Sequence, residues 1–320
     1  MKIALDMMGG DFAPAEAISG VQQYLKNTAD TSVHLVLIGD EEAGKNTAEA
    51  LKDFTGRYTW VHAPQIIGMH EHPTKALKEK PDSSIAIGFG MLQLGKADAF
   101  ISAGNTGAMM VGAMYTVKTI EGIIRPTIAS PLPKEEGYNL LLDVGINADC
   151  KPELLVQFAE LGTLYMKHVG GLENPRVGLL NLGEEEGKGN ILAQATYPLL
   201  KENTSINFAG NVEGRDVFLN KCDVVVCEGF VGNVVLKVAE SAYEIFKRQR
   251  GINDDLLEKF NYEVYGGTPI LGINAPVIIG HGISSALAFN NIIDLARKIV
   301  ASNLIDAFKE HFAVSKPATE

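Results

Sequence analysis

The sequence contains little cysteine: Cys150, Cys222 and Cys227 are the only three in 320 residues. So small and odd a number does not form a disulfide framework, and the spacing of Cys222 and Cys227 matches no common zinc pattern. Because both flank a strand-like run, we expect Cys222 and Cys227 to be buried structural thiols. Cys150 follows a candidate site loop and is the one cysteine worth testing as reactive.

Long hydrophobic runs are also missing. The longest uncharged apolar run near the C-terminus, Pro269–Ile279, is far too short to cross a bilayer. We expect the opening run Met1–Asp6 to be a first strand and not a signal peptide, because Asp6 interrupts the apolar stretch that such a peptide needs. We therefore predict a cytoplasmic protein.

Positive charge is scarce. The net charge of −11 and the pI of about 5.2 disfavour nucleic-acid binding, which needs a basic surface. His70 and His72 lack a further spaced ligand, so we predict no metal site. A GxGxxG dinucleotide fingerprint and a Walker sequence are both absent, and we expect no cofactor.

What the chain does contain is a regular alternation of strand-like and helix-like stretches. The predicted strands are Lys2–Leu5, Val33–Ile38, Tyr58–His62, Ala99–Ser102, Asn139–Asp143, Val177–Leu182 and Asp223–Cys227. The predicted helices are Pro14–Leu25, Glu41–Phe54, Ser83–Leu94, Pro152–His168, Asn233–Arg250 and Ser284–Phe308. This order predicts an α/β fold with Rossmann-like αβα layers and a mostly parallel sheet. We predict one catalytic domain over 1–320, with two lobes and a cleft rim near 125–137 as the alternative, and a disordered tail at 314–320.

Four Gly-Asn pairs follow apolar stretches: Gly104-Asn105, Gly189-Asn190, Gly210-Asn211 and Gly232-Asn233. Glycine lets a ligand approach the backbone closely, and asparagine caps helices and offers donors and an acceptor. In open α/β sheets, ligands bind beyond the carboxyl ends of the strands. The pairs therefore predict corners around one anionic ligand, although ordinary turns also explain any single pair. We expect Asn105 and Asn233 to start helices, whereas the pattern assigns no particular role to Gly210-Asn211.

A series of motifs runs in order over nearly the whole chain. They are Asp6–Pro14, Ser102–Ala108, Asp143–Asn147, Val177–Glu184, Lys188–Asn190, Asn207–Asp216, Asp223–Lys237, Tyr265–Gly267, and His281-Gly282 with Ser284-Ser285. Together they resemble the PlsX family of acyl-ACP:phosphate acyltransferases of bacterial phospholipid synthesis. The run Glu228–Asn233 also resembles the phosphate-site turn of phosphate acetyl- and butyryltransferases. The resemblance implies the fold shared by isocitrate/isopropylmalate dehydrogenases and phosphate acetyltransferases, and it implies a homodimer.

The resemblance also implies a reaction. A long-chain acyl group passes from acyl carrier protein to inorganic phosphate, and a membrane glycerol-3-phosphate acyltransferase then uses the acyl-phosphate. Phosphate is its own nucleophile, so no Ser-His-Asp triad is needed. We predict Lys188, His281, Asn233 and Asp143 as catalytic residues. The predicted phosphate- or substrate-binding residues are Asp6, Gly9, Gly10, Asn105, Thr106, Gly107, Asn147, Asn190, Asn211, Arg215 and Gly232.

The two main catalytic candidates each have a rival explanation. Lys188 supplies a point charge to phosphate, or it balances the surface charge of Glu184–Glu186. His281 protonates the leaving thiolate or stabilises the oxyanion, or it makes a structural hydrogen bond.

The remaining charged candidates also have two explanations each. Asp6 and Asp143 orient hydrogen-bond donors or simply cap loops. Arg215 binds an anion or forms an internal ion pair.

The chain departs from the PlsX pattern before the Tyr-Gly-Gly motif. Many relatives carry a longer, basic, methionine-rich amphipathic segment there, whereas Gly251–Val264 is short and has three acids before Lys259. We therefore predict weak or dimer-dependent membrane contact. Acyl carrier protein is acidic, so docking needs a basic patch, for which Lys247, Arg248 and Arg250 are the candidates.

Three other functions compete with this hypothesis. A small-acyl phosphotransacetylase would use acyl-CoA. An NAD-dependent decarboxylating dehydrogenase of the isopropylmalate type would need acidic metal ligands and an arginine cluster, which the sequence lacks. A non-catalytic scaffold of lipid synthesis would not need the glycine and asparagine corners.

Overall fold

The computed structural model describes residues 1–314. Its strands are β1 (Lys2–Asp6), β2 (His34–Gly39), β3 (Tyr58–His62), β4 (Ala99–Ser102), β5 (Thr127–Pro133), β6 (Tyr138–Leu142), β7 (Arg176–Leu180), β8 (Asn207–Val212), β9 (Val224–Val226), β10 (Gly267–Leu271) and β11 (Val277–Gly280). Its helices are α1 (Ala15–Asn27), α2 (Glu41–Ala50), α3 (Pro73–Glu79), α4 (Ser84–Gln93), α5 (Thr106–Gly112), α6 (Pro152–His168), α7 (Ile191–Glu202), α8 (Gly229–Tyr243), α9 (Asp255–Glu258), α10 (Ala286–Ala301) and α11 (Leu304–Val314). The predicted tail lies outside the described residues, apart from Val314 at the end of α11.

The chain divides into two compact units. Unit 1 comprises Met1–Thr119 and Glu263–Ile305, and unit 2 comprises Ile120–Tyr262 with the chain from Asp306 onward. In unit 1 the strand order is β3-β2-β1-β4-β11-β10, and every neighbouring pair is parallel except β10 with β11. In unit 2 the order is β5-β6-β9-β7-β8, and only the pair of β5 with β6 is antiparallel. The predicted mostly parallel α/β fold is therefore confirmed.

Both units place their functional loops through this parallel arrangement. Neighbouring parallel strands bring their carboxyl ends to one edge of the sheet, which is where ligands bind in such folds. Strands β4 and β9 have no exposed residue, as expected for strands that are covered on both faces.

Several element predictions need correction. Thr127–Pro133, inside the proline-rich stretch predicted as a cleft rim, forms strand β5. The helix predicted to begin at Asn233 begins four residues earlier, at Gly229, and becomes π-helical over Glu244–Gln249. Strands β10 and β11 were missed, because their apolar residues form one run that is interrupted only by a Gly-Ile-Asn-Ala-Pro turn.

An ion-pair cluster joins strands at the amino ends of β7 and β9, away from the carboxyl edge. Asp223 Oδ2 accepts from Arg176 Nε at 3.0 Å, and Asp223 Oδ1 accepts from Lys134 Nζ at 3.1 Å. Burial alone would raise the pKa of Asp223, but the hydrogen bonds from Arg176 and Lys134 outweigh it and lower the pKa to about 2. The carboxylate therefore stabilises the folded state at neutral pH.

We expect Asp223→Asn to lower the free energy of unfolding at pH 7 by about 3 kcal/mol, because Lys134 is left buried without its counter-charge. The folded-state pKa is depressed, so this stabilisation is present above the ordinary carboxyl pKa of 3.8 and is lost as the pH falls toward about 2. Urea unfolding of both proteins at pH 7 and pH 3 checks this. The stability gap should narrow at pH 3, and a constant gap would contradict the assignment.

Candidate functional site

In unit 1, the loops that follow β1, β4 and β11 lie side by side, because these strands are parallel neighbours. Gly9 packs on the next loop so closely that a Cβ there would lie 2.6 Å from the backbone nitrogen of Gly104. Gly10 has a φ of 101°, which favours glycine. The Asp11 N–H donates to the Gly282 carbonyl oxygen at 2.7 Å. The structure thus brings together the predicted corners that contain Gly9, Gly10 and the His281 loop.

Asp6 organises this corner from inside the protein. Its side chain is buried, and its Oδ2 accepts from Ser102 Oγ at 2.7 Å while Oδ1 accepts from the Met8 N–H at 2.9 Å. Ser102 Oγ in turn accepts from the Gly104 N–H at 2.9 Å. Burial raises the pKa of Asp6, whereas the hydrogen bonds from Ser84 and Ser102 lower it. Asp6 therefore positions two loops and has almost no surface with which to contact a ligand directly.

Asn105 starts helix α5, as predicted. Its Oδ1 accepts from the Ala108 N–H at 2.9 Å. Its amide nitrogen donates to the carbonyl oxygens of Gly68 and Glu71, both at 3.0 Å. Asn105 is only 4% exposed, so its amide orders a neighbouring loop instead of pointing outward.

The other predicted residues of unit 1 differ in exposure. Thr106 is exposed at the first turn of α5. Gly107 is required by packing, because a Cβ there would lie 2.3 Å from Pro73 Cγ. His281 is half-buried directly after β11, and its carbonyl oxygen accepts from the Ser284 N–H at 3.0 Å.

In unit 2, Asp143 holds the loop that follows β6. Its Oδ1 accepts from the Ile128 N–H at 3.1 Å, and its Oδ2 accepts from the backbone N–H and the side-chain amide of Asn147 at 2.5 and 3.1 Å. Asp143 has no exposed surface, so it reaches a bound ligand only through the groups that it positions. Asn147 is also buried and donates to the Pro126 carbonyl oxygen.

The same loop packs against the start of α8. The Gly229 N–H donates to the Asn147 carbonyl oxygen at 2.7 Å. Gly232 lies so close to the loop that a Cβ there would be 1.8 Å from the Asp143 carbonyl oxygen. Gly232 therefore serves the contact between helix and loop.

The prediction that Asn233 starts a helix was wrong. Glu228 caps α8, because its Oε2 accepts from the Val231 N–H at 2.9 Å, and Asn233 lies one turn further on. Asn233 is exposed, and its amide donates to the Val144 carbonyl oxygen at 3.2 Å.

Lys188 is an exposed cation in the loop between β7 and α7. Two of the three acids beside it pair elsewhere, Glu184 with Lys221 at 2.6 Å and Glu186 with Lys201 at 2.9 Å. Within residues 1–314, Lys188 has no acidic partner, so the rival explanation of charge balance finds no support in these ion pairs.

Asn190 caps α7, next to Lys188. Its Oδ1 accepts from the Ala193 N–H at 2.8 Å, and the preceding Gly189 has a φ of 97°. A helix N-terminus and a lysine side by side form an electropositive corner that favours an anion.

The remaining two predicted residues of unit 2 take structural roles. Gly210-Asn211 lies inside strand β8 and does not form a corner. Asn211 is buried, and its amide donates to the Glu185 carbonyl oxygen at 2.9 Å, which supports the Lys188 loop. Arg215 forms the ion pair that was its alternative explanation, with Glu213 at 2.7 Å.

A cavity of about 360 Å³ opens at the carboxyl ends of β7 and β9, between helices α6, α7 and α8 of unit 2. It is lined by Leu155, Leu179, Leu180, Asn181, Leu182, Gly189, Asn190, Leu192, Ala193, Gly214, Cys227, Glu228, Val231 and Val235. Most of these side chains are apolar, so the cavity suits a hydrocarbon group. Its rim includes the corner formed by Gly189 and Asn190.

Two residues that shape these corners, Ser102 and Glu228, were not among the predicted site residues. Ser102 is the last residue of β4, a position that marks it as a strand-end candidate. Glu228 stands three residues before the Val231 N–H that it caps, but glutamate is not among the preferred N-cap residues.

Cys150 is not activated as a nucleophile. Burial, together with the charges of Asp143 and Glu228, raises its pKa to about 12. We therefore expect iodoacetamide at pH 8 to alkylate Cys150 in the folded protein far more slowly than an ordinary thiol, because the thiolate is the reacting form. Mass spectrometry of samples with and without urea measures this, and rapid alkylation of the folded protein would contradict it.

Cys222 and Cys227 are buried, as predicted.

Within residues 1–314 there is no cluster of three His, Cys, Asp or Glu side chains suited to hold a metal ion. Nor does any helix there combine the length and apolar character that a membrane crossing requires.

Comparison with known proteins places the chain among characterised sequences and folds. A family model described as fatty acid synthesis protein matches residues 1–250. A phosphate acyltransferase of Desulforamulus reducens is 42% identical, and the alignment covers 100% of both chains. The EutD phosphotransacetylase structure from Staphylococcus aureus has a TM-score of 0.63 at 16% identity, covering 95% of this chain and 94% of that one. A putative 4-hydroxythreonine-4-phosphate dehydrogenase from Salmonella typhimurium has a TM-score of 0.57 at 13% identity, covering 93% and 99%. These two structures share the fold.

Proposed function

The chain belongs to the phosphate acyltransferase family, and from this premise we propose that it transfers a long-chain acyl group from acyl carrier protein to inorganic phosphate. The product is an acyl-phosphate for phospholipid synthesis. A phosphate oxygen attacks the thioester carbonyl carbon, a C–O bond forms, the C–S bond breaks and the released thiolate takes up a proton. The protein has to hold phosphate against the carbonyl and stabilise the developing oxyanion.

The observation that carries this proposal is the electropositive corner at the rim of an apolar cavity. Lys188 and the N-terminus of α7, capped by Asn190, supply positive charge for phosphate. The neighbouring cavity supplies an apolar environment for the acyl group. An anion site beside an apolar site is what the two substrates of an acyl transfer to phosphate require.

Other predicted residues act through the groups that they position. Asp143 orders the Asn147 loop, Gly232 allows that loop to contact α8, and Asn211 supports the Lys188 loop. Asn233 is the exposed side chain of this set, and we propose it as a hydrogen-bond donor to substrate.

The roles of the unit 1 residues rest on the family resemblance. We propose that His281 protonates the leaving thiolate or stabilises the oxyanion, and that the Thr106 corner contributes to substrate binding. His281→Ala tests the first of these roles.

The acyl donor and its docking site are part of the proposal. Acyl carrier protein is acidic, and the predicted basic patch is partly neutralised: Lys247 pairs with Glu258, and Arg248 pairs with Glu244 at 3.4 Å. Arg250 is exposed and becomes the strongest remaining candidate. Charge reversal at Arg250 should lower activity toward the carrier-bound donor most at low salt.

We also propose that the chain forms a homodimer and contacts the membrane. Its acyl-phosphate product would be used by a membrane glycerol-3-phosphate acyltransferase. Leu256 in α9 is 42% exposed, but Asp254 and Asp255 precede it, so we expect weak contact with lipid vesicles.

The experiment that tests this function measures phosphate-dependent release of free carrier thiol from palmitoyl-ACP, with acetyl-CoA assayed in parallel. We expect release only with phosphate present and a strong preference for the long-chain donor. Preference for acetyl-CoA would favour the small-acyl phosphotransacetylase, whose fold this chain shares. No phosphate dependence with either donor would favour a non-catalytic scaffold.

A further inference from the structure

The inner end of the unit 2 cavity is formed by small and medium apolar side chains. Leu155, Leu179, Ala193 and Cys227 are each at most 8% exposed. Burial raises the pKa of Cys227 well above its usual range, so this thiol stays neutral and apolar in character. A hydrocarbon chain suits such a surface, because it has no polar group that would lose its hydrogen bonds on burial.

The one charged side chain that lines the cavity is already engaged. Glu228 Oε2 accepts from the Val231 N–H at 2.9 Å and caps α8. Apart from Glu228, Asn181 and Asn190, the lining side chains are apolar, which disfavours a polar ligand such as a nucleotide or a sugar.

The cavity opens next to the electropositive corner. Gly189 and Asn190 line its rim, Lys188 precedes them directly, and Leu182 at the mouth is 72% exposed. A volume of about 360 Å³ falls in the range of roughly 300–1,000 Å³ that is typical of ligand pockets.

We propose that this cavity binds the hydrocarbon part of the acyl donor and that Val235 and Ala193 limit how much of the chain it accepts. The proposal rests on the proposed acyl transfer to phosphate and names the place of the acyl chain within it. The carbonyl end lies toward Lys188 and the methyl end lies among the buried side chains. The cavity thus acts as the element that selects chain length.

The test compares Val235→Phe with the matched control Val238→Phe. Both residues lie on α8, but Val235 is half-buried and lines the cavity, whereas Val238 does not line it and is 65% exposed. Because one methylene in an apolar pocket changes kcat/KM by about tenfold, we expect Val235→Phe to lower kcat/KM for palmitoyl-ACP at least tenfold. Activity with butyryl-ACP and the KM for phosphate should stay near wild type in both variants.

A second variant and a binding measurement test chain binding in the cavity separately from acyl transfer to phosphate. Ala193→Leu fills the cavity from α7 and should shift the preference toward shorter chains as well. Palmitate binding, measured by calorimetry with the full chain, should weaken in Val235→Phe but not in Val238→Phe. Equal losses for long and short donors, or unchanged palmitate binding, would overturn the proposal. Should the wild type bind palmitate in this cavity yet release no thiol with phosphate, the proposed function would fail and the cavity assignment would stand.

Discussion

Alanine in place of Lys188 is expected to lower kcat/KM for phosphate by roughly 10²–10³-fold, with a raised KM for phosphate. The physical reason is that Lys188 is exposed and forms no ion pair within residues 1–314, while Glu184 and Glu186 pair with Lys221 and Lys201, so the charge of Lys188 is available to a substrate anion. Steady-state assays of thiol release over a range of phosphate concentrations measure both constants. Lys188→Arg should recover part of the activity, because it keeps the charge but changes its shape.

The matched control is Lys167→Ala. Lys167 is an exposed lysine of the same unit in the last turn of α6, whereas the Lys188 corner lies near the first turn of that helix. Its loss should leave the phosphate KM unchanged, because its charge lies away from the proposed phosphate site. A Lys188→Ala enzyme with the wild-type phosphate KM would show that phosphate binds elsewhere.

The largest effect on stability is expected from Gly232→Ala. A Cβ at this position would lie 1.8 Å from the backbone oxygen of Asp143, and a backbone atom cannot move aside as a flexible side chain can. Either α8 or the Asp143 loop has to shift, so we expect a loss of about 4 kcal/mol or more of unfolding free energy. Thermal and urea unfolding followed by circular dichroism measure this loss.

Gly90→Ala is the control for this substitution. Gly90 also lies within a helix, α4, but a Cβ there meets no atom within 4 Å. Alanine should therefore stabilise the protein by about 0.5–1 kcal/mol, because glycine is a poor helix former. A Gly232→Ala protein as stable as Gly90→Ala would contradict the close contact between α8 and the Asp143 loop.

Much of the fold was predictable from local sequence. Strands β3 and β4 have the predicted bounds, Tyr58–His62 and Ala99–Ser102, because aromatic, apolar or β-branched residues fill every position of each strand except the last. The caps Asn105 and Asn190 act on N–H groups three residues ahead, a distance within which sequence patterns are informative.

The prediction failed where a residue's partner is distant in the chain or where two caps compete. Gly232-Asn233 resembles Gly104-Asn105 in sequence, yet α8 begins earlier because Glu228 caps it first. Gly210-Asn211 matches the same corner pattern, but these two residues pair with Gly178 and Leu179 of β7 and continue strand β8.

The sequence by itself determined the mostly parallel α/β class, the family and the class of reaction, because these depend on local periodicity and on motifs read in order. Only the tertiary structure decided which polar groups remain available to a ligand. Asp143 and Asn105 are hydrogen-bonded to partners 15 and 37 residues away, whereas Lys188 is exposed and forms no ion pair within residues 1–314. Burial and hydrogen-bond partners are set by packing between segments distant in the chain, which no local pattern records.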